Sequence, residues 1–345
     1  MISRGGWKVK RVLILSLAVG VASAASAQTA KEIRIGQFPN ITHAQALMAR
    51  ASGDLEEALG VPVKWSTFNA GPSAVEALFT DAIDAAYIGP NPAINGFIKS
   101  EGQCFQIVAG SAGGGAALVV RRDSAIVTEK DFVDKIIATP QLGNTQDVAA
   151  RAWFKARGYT LKEKGGNLTI LPLANPDQLL MFKKKEIDGA WTVEPWVSRL
   201  EQEGGGKVFL EEKTLWPEGN YITTVLIVSR KFLNANPDLV KKLLRAHVEI
   251  TQQLNAGKLA AISVINAEIK RETGSKLASA ILESAMMRVN FTWDPAEKSL
   301  VKSARDAYEA GFLRTEPKLE GICNLAPLNE VLKEKGLPEI PTIKK

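Results

Sequence analysis

The chain has 345 residues, 46% of them hydrophobic, and a formal net charge of +6; this is enough for one large or two medium domains with ample core. Four of its basic residues fall in the first eleven positions, which hold no acid, so residues 28–345 carry only +2. A surface this near balance gives no basis for a nucleic-acid partner.

Arg4, Lys8, Lys10 and Arg11 precede an apolar run from Val12 to Val21, and Ala25-Ser26-Ala27 follows. That order is the signal-peptide pattern, so residues 1–27 are expected to be removed on export. The run is about half the roughly 20 residues needed to span a bilayer, which argues against an anchor. Cys104 and Cys323, the two cysteines, read as one disulfide in an oxidising compartment; the alternative is two separate buried thiols. Two cysteines and two histidines, scattered, make no metal-ligand spacing, and no metal or cofactor is expected.

The front half repeats a short apolar strand, a small or polar turn, then a helix. Strands are predicted at 32–36, 61–68, 85–88 and 105–109, with helices over 43–59, 73–80 and from the Gly89-Pro90-Asn91-Pro92 turn to about Ser100. Gly113-Gly114-Gly115 reads as a flexible link. The pattern restarts with an extended run at 117–120, strands at 136–139, 168–173 and 189–193, helices over 147–157 and 176–185, and a longer strand at 221–228. Such alternation predicts an α/β fold with covered, parallel or mixed sheets. From Asn236 onward the chain reads as helical. Asn236-Pro237 starts a helix that Gly257 ends, and Asp294-Pro295 with Glu297 gives a capping-box start. The expected division is a first lobe from 28–115 and 223–345, with 116–222 inserted as the second.

Four turns stand between a strand's carboxyl end and a helix start, around Asn40/Thr42, Gly71/Ser73, Gly89/Asn91 and Asn144/Thr145. Helix starts attract anions through unpaired N–H groups, and these turns hold no Lys or Arg, so neutral donors would carry the binding. Ligands of open α/β sheets sit where such turns collect. Each turn alone reads first as an N-cap that serves stability; several on two lobes point to a shared cleft. His43 lies beside the first turn, in a ligand or a capping role. Glu194, between Trp191 and Trp196, either faces ligand with an indole as wall, or caps a helix while both indoles are core. His247 shares a helical stripe with Leu243, Ile250 and Leu254, which predicts a packed residue. The sequence holds no Gly-x-Ser-x-Gly elbow, Walker loop or His-Glu-x-x-His helix, and no catalytic residue is expected.

Ile33-Arg34-Ile35-Gly36 with Pro39-Asn40-Ile41-Thr42-His43-Ala44, Asp84-Ala85-Ala86-Tyr87-Ile88-Gly89-Pro90, Gly143-Asn144-Thr145, and Ile187-Asp188-Gly189-Ala190 before Glu194-Pro195-Trp196 resemble the nitrate/sulfonate/taurine-type ABC-transporter substrate-binding proteins. The resemblance covers residues 31–325. It implies a class II periplasmic-binding-protein fold, two α/β lobes joined by two crossing segments that close on ligand. It also implies that Asn40, Thr42, Ser73, Gly89, Asn91, Thr145, Gln146 and Glu194 face the cleft. The protein would be a monomeric, non-enzymatic periplasmic receptor passing a small anion, foremost an aliphatic sulfonate, to an importer's permease. Nitrate, bicarbonate or taurine are alternative ligands. Thiamine-pyrimidine-type enzymes and binders share the fold, but the enzymes use reactive His and Cys, which are scarce here.

Overall fold

A computed structural model describes residues 30–341; the expected signal segment and its cleavage point after Ala27 lie outside them. The first sheet begins with β1 (Ile33–Gln37), β2 (Val63–Thr67), β3 (Ala85–Ile88) and β4 (Phe105–Gly114). The second holds β5 (Ala116–Arg121), β6 (Ile136–Thr139), β7 (Thr169–Pro172), β8 (Gly189–Val193) and β9 (Gly206–Glu211). The chain then returns to the first sheet with β10 (Ile222–Ser229) and β11 (Val289–Phe291). Strand order is β11-β4-β10-β3-β1-β2 in the first sheet and β7-β6-β8-β5-β9 in the second.

Both sheets follow one plan. In the first, β1 pairs in parallel with β2 and β3, and β10 runs antiparallel to β3 and β4. In the second, β6 pairs in parallel with β7 and β8, and β5 runs antiparallel to β8 and β9. Parallel strands need crossover helices that cover both faces, so their residues bury on either side. The helices so placed cover the antiparallel strand between them as well, and every residue of β3, β8 and β10 is buried. The first lobe has an apolar cluster on each face, one around Leu47, Leu226 and Leu244 and one around Ile88, Ile94 and Phe105. The second lobe has an aromatic face, with Phe132, Trp153, Phe154 and Trp191 edge to face, and an aliphatic face around Phe182, Val197 and Leu200. This is the two-lobed α/β architecture expected.

The helical tail packs back onto the first sheet. Pro237–Ala256 starts and stops where Asn236-Pro237 and Gly257 predict. The helix expected from His43 to Leu59 divides at Gly53 into Ala44–Ser52 and Asp54–Leu59. Glu297–Glu309 begins as expected, although its cap is Ala296 rather than a capping box. Among the described residues no helix is long and apolar enough to cross a membrane.

The glycine run expected to be a flexible link is instead buried strand. β4 continues through Gly114, and its whole length is buried. A Cβ on Gly110 would collide with the Asp294 carbonyl, and on Gly113 and Gly114 would lie 2.7 and 2.6 Å from the carbonyls of Tyr221 and Arg288. Gly114 and Gly115 also have φ of 72° and 73°, which glycine adopts without steric cost. Close backbone neighbours, not looseness, require glycine here.

Cys104 and Cys323 are free, half-buried thiols, which corrects the expected disulfide. Cys323 stands opposite Ile107 in a parallel bridge. Cys104 lies three residues before Ile107, roughly 10 Å along an extended chain. That offset exceeds the Cα separation of about 7 Å that a disulfide spans.

Candidate functional site

A narrow cavity opens between the carboxyl ends of the two sheets' strands. The first lobe lines it with Asn40, Thr42 and His43 after β1, Gly89 after β3, and Thr223 and Thr224 on β10. The second contributes Asn144 and Gln146 after β6, Asn175 after β7, and Val193 at the end of β8. Phe38, Asn69 and Pro140 complete the wall. No lining side chain carries a charge at neutral pH. The cavity measures about 20 Å³, room for a group of very few atoms.

The local folds explain why polar groups converge there. After β1 the chain makes a tight 3-10 turn over Ile41–His43. Phe38 N–H donates to His43 Nδ1 at 3.3 Å, and the imidazole packs against the Phe38 ring with centroids 4.3 Å apart. Burial lowers the His43 pKa to about 3, so the ring is neutral. Because Nδ1 accepts, its single proton sits on Nε2, leaving His43 a fixed neutral donor. Asn40 Oδ1 accepts from Trp196 Nε1 of the second lobe at 3.1 Å.

The helix start after β6 gives the other half. Asn144 caps Thr145–Ala156 by accepting from the Thr145 N–H. Gln146 is 3% exposed, yet its side chain has no hydrogen-bond partner among the described residues. The same holds for Thr42 and Thr224, each 1% exposed. Polar side chains so buried are normally paired; three that are not, around one cavity, leave donors and acceptors for a ligand. Asn175 Oδ1 accepts from Thr192 at 2.9 Å, which fixes the amide.

Of the residues expected at the cleft, Asn40, Thr42, His43, Gly89 and Gln146 line this cavity; four are placed otherwise. Ser73 is exposed and its hydroxyl meets Gln141 across the lobes at 3.3 Å. Asn91 donates to the Ser303 carbonyl at 2.9 Å, tying its helix to the tail. Thr145 turns away from this cavity, and a Cβ on Gly89 would collide with its Oγ1. Glu194 is fully buried behind the wall. Its carboxylate accepts from Ser198 N and Oγ at 3.1 and 2.9 Å and from Arg288 Nη1 at 3.0 Å. Burial raises its pKa to about 7 against the opposing pull of Arg288. Glu194 therefore caps a helix, and Trp191 and Trp196 are core, as the alternative reading had it. Asn175, Thr223 and Thr224 had not been expected. Asn175 opens the helix after β7, the same strand–turn–helix position as the others, and Thr223-Thr224 is a polar pair inside an apolar strand; both signals were present. His247 is core, between Tyr87 Oη at 3.1 Å and the Gly110 carbonyl at 2.8 Å.

A wider concavity, about 720 Å³, lies elsewhere, between Phe97, Gln103, Arg230 and Lys318 on the first lobe alone. It gathers no residue from the second sheet, so lobe closure cannot enclose a ligand there.

Two sheets, crossing strands and a polar cavity between the lobes define a two-lobed solute-binding-protein fold. The chain belongs to the NMT1-like family, which matches residues 26–267. It is similar to the taurine-binding periplasmic protein of Escherichia coli (strain K12), with 27% identity over 60% of this chain and 62% of that protein. The chain thus spans under two thirds of that relative's length. Among solved structures it resembles the alkanesulfonate-binding protein of Xanthomonas axonopodis pv. citri bound to MOPS, with TM-score 0.71, 20% identity, and 86% and 99% of the two chains covered. It also resembles the periplasmic nitrate-binding protein of Synechocystis PCC 6803, with TM-score 0.72, 15% identity, and 89% and 90% covered. The family resemblance and the fold expected from the sequence are both borne out.

Proposed function

We propose that the protein is a non-enzymatic periplasmic receptor that captures a small anion between its lobes and passes it to the permease of an ABC importer. In this reading residues 1–27 are removed on export, 28–115 with 223–345 form one lobe, and 116–222 form the other. It acts as a monomer, and its ligand is foremost an aliphatic sulfonate.

The observation that carries this reading is the cavity lined from both lobes by neutral polar groups, three of them buried without partners. Oxyanions are well held by oriented N–H and O–H donors in a dry site, which needs no metal or cationic side chain. Ligation by both lobes makes closure and capture one event. The taurine- and alkanesulfonate-binding names of its relatives support a sulfonate head group.

Calorimetry with ethanesulfonate, 2-aminoethanesulfonate, nitrate and bicarbonate tests this. A sulfonate should bind tightest, and Gln146→Ala should weaken it about ten- to a hundred-fold, the value of one hydrogen bond to a charged group. Binding of none of these anions, or unchanged affinity in Gln146→Ala, would overturn the reading.

A further inference from the structure

Asparagine and neutral histidine side chains each carry both a donor and an acceptor, so alone they do not choose between a bare oxyanion and one bearing an O–H. Around the interlobe cavity that choice is made by their neighbours. Phe38 N–H donates to His43 Nδ1 at 3.3 Å, and Trp196 Nε1–H donates to Asn40 Oδ1 at 3.1 Å. The Thr145 N–H donates to Asn144 Oδ1. These three partners can only donate, so the atom that each one meets is the acceptor. Asn175 Oδ1 accepts in turn from the Thr192 hydroxyl at 2.9 Å.

What is left for the cavity is the other end of each group: His43 Nε2–H and the Nδ2 amides of Asn40, Asn144 and Asn175. None of these nitrogens has a partner among the described residues, although all four residues are at most 7% exposed and all line the cavity. Two come from each lobe. A cavity of about 20 Å³ keeps a bound head group beside them. A bare oxyanion offers them only lone pairs, whereas an O–H turned toward any of the four sets hydrogen against hydrogen. Of the unpartnered groups, Gln146, Thr42 and Thr224 can turn an oxygen to it, and each then ceases to donate to the anion.

We propose that the cavity selects oxyanions whose head group carries no proton, and that Trp196 and Thr192 are positioning residues that enforce this from behind the wall by tying off acceptors. Sulfonates and nitrate meet the condition; bicarbonate and phosphonate monoanions, which bear an O–H, do not. Trp196 belongs to the second lobe and Asn40 to the first, so the lock on Asn40 is completed where the lobes meet. This inference rests on the receptor reading above and assigns specificity within it.

Calorimetry on the purified protein with methanesulfonate and methylphosphonate at pH 5 tests it, because there both are monoanions of one shape that differ by a single O–H. The native protein should bind the sulfonate about ten- to a hundred-fold more tightly, the value of one hydrogen bond to a charged group. Trp196→Phe keeps a ring in the core and frees Asn40 Oδ1 to turn toward the ligand, so the ratio of the two affinities should fall about ten-fold. A merely structural loss would weaken both anions alike and leave the ratio unchanged. Thr192→Val, close to isosteric, frees Asn175 in the same way and stands in if Trp196→Phe does not fold. Nitrogen NMR should show His43 as the Nε2–H tautomer. Equal native affinity for the two anions, the Nδ1–H tautomer, or an unchanged ratio in the variants that fold would overturn the selectivity. Methanesulfonate bound without discrimination would leave the receptor reading standing; neither anion bound would remove both.

Discussion

Arg288 Nη1 lies 3.0 Å from Glu194 Oε1, and the two residues come from different lobes. The same guanidinium reaches Glu201 at 2.8 Å and Glu211 at 3.0 Å. Desolvation pulls its pKa down, but the three carboxylates outweigh it and hold the pKa above the usual arginine value. One side chain at the end of the helix Ser279–Arg288 thus fastens the tail to three places on the second lobe.

Replacing Arg288 with Met should therefore destabilise the protein by about 3 kcal/mol, because Glu194 stays buried without its cation. Urea unfolding of the variant measures this directly. The double variant Arg288→Met, Glu194→Gln should recover part of the loss, since the amide carries no buried charge. A single variant as stable as the native chain would show that the cluster contributes nothing.

Four buried groups set the pH dependence of stability. Burial raises Glu194 and Glu212 from 4.5 to about 7 and lowers His43 and His247 from 6.5 to about 3 and about 4. The carboxylate contribution is fully present below pH 4.5 and is lost as pH rises through 7. The histidine contribution is fully present above pH 6.5 and is lost as pH falls toward 4 and 3. Between 4.5 and 6.5 the two oppose each other, at about 1.4 kcal/mol per pH unit for each group. Urea midpoints should be nearly level across that window and fall below it. In the double variant Glu194→Gln, Glu212→Gln the fall should begin at pH 6.5; a level profile there would refute the assignment.

Gly89→Ala should weaken ligand binding at least ten-fold with little change in melting temperature. The added methyl group would meet Thr145 Oγ1 on the opposite lobe, so it resists closure more than it disturbs either lobe. Calorimetry with the best-binding sulfonate, beside a thermal melt, separates the two effects. Native affinity in the variant would mean that the lobes tolerate a wider spacing.

Binding of a plain sulfonate should vary little between pH 5 and 8, because the His43 ring stays neutral throughout and no lining group titrates in that range. Calorimetry at both ends of the range checks this. A loss of affinity on acidification would place a protonating group in the site.

Alkylation should reach Cys104 before Cys323. Burial raises both thiols, and Cys323 much the further, helped by the nearby Glu297 carboxylate. The thiolate is the reactive form, so timed iodoacetamide labelling followed by peptide mass mapping should show the order. Faster labelling of Cys323 would contradict its described burial.

Much of the fold was legible because strand and helix signals alternate cleanly through residue 193. β9 and β11 were missed for local reasons: β9 begins on the last of three glycines and mixes polar with apolar residues, and β11 has three residues between helices. The turn after β1 was legible in the site, since its small polar residues precede a helix. Ser73, Asn91 and Glu194 occupy turns of the same kind, and their outward or backward orientation depends on partners far away in sequence, Gln141, Ser303 and Arg288. No local pattern reveals such partners. The Cys104–Cys323 pairing failed for the same reason, a register between distant segments.

The two passages between the sheets lie side by side. Gly113 pairs with Ile222 on one sheet, and Ala117 pairs with Glu211 on the other. Sliding one lobe past the other would stretch both passages, whereas turning about the line through them strains neither. The motion this permits is that of a door whose two hinges share one jamb. On the receptor reading proposed above, solute would enter and leave along a single edge, and a permease gripping both lobes away from that line would release it by leverage, without touching it.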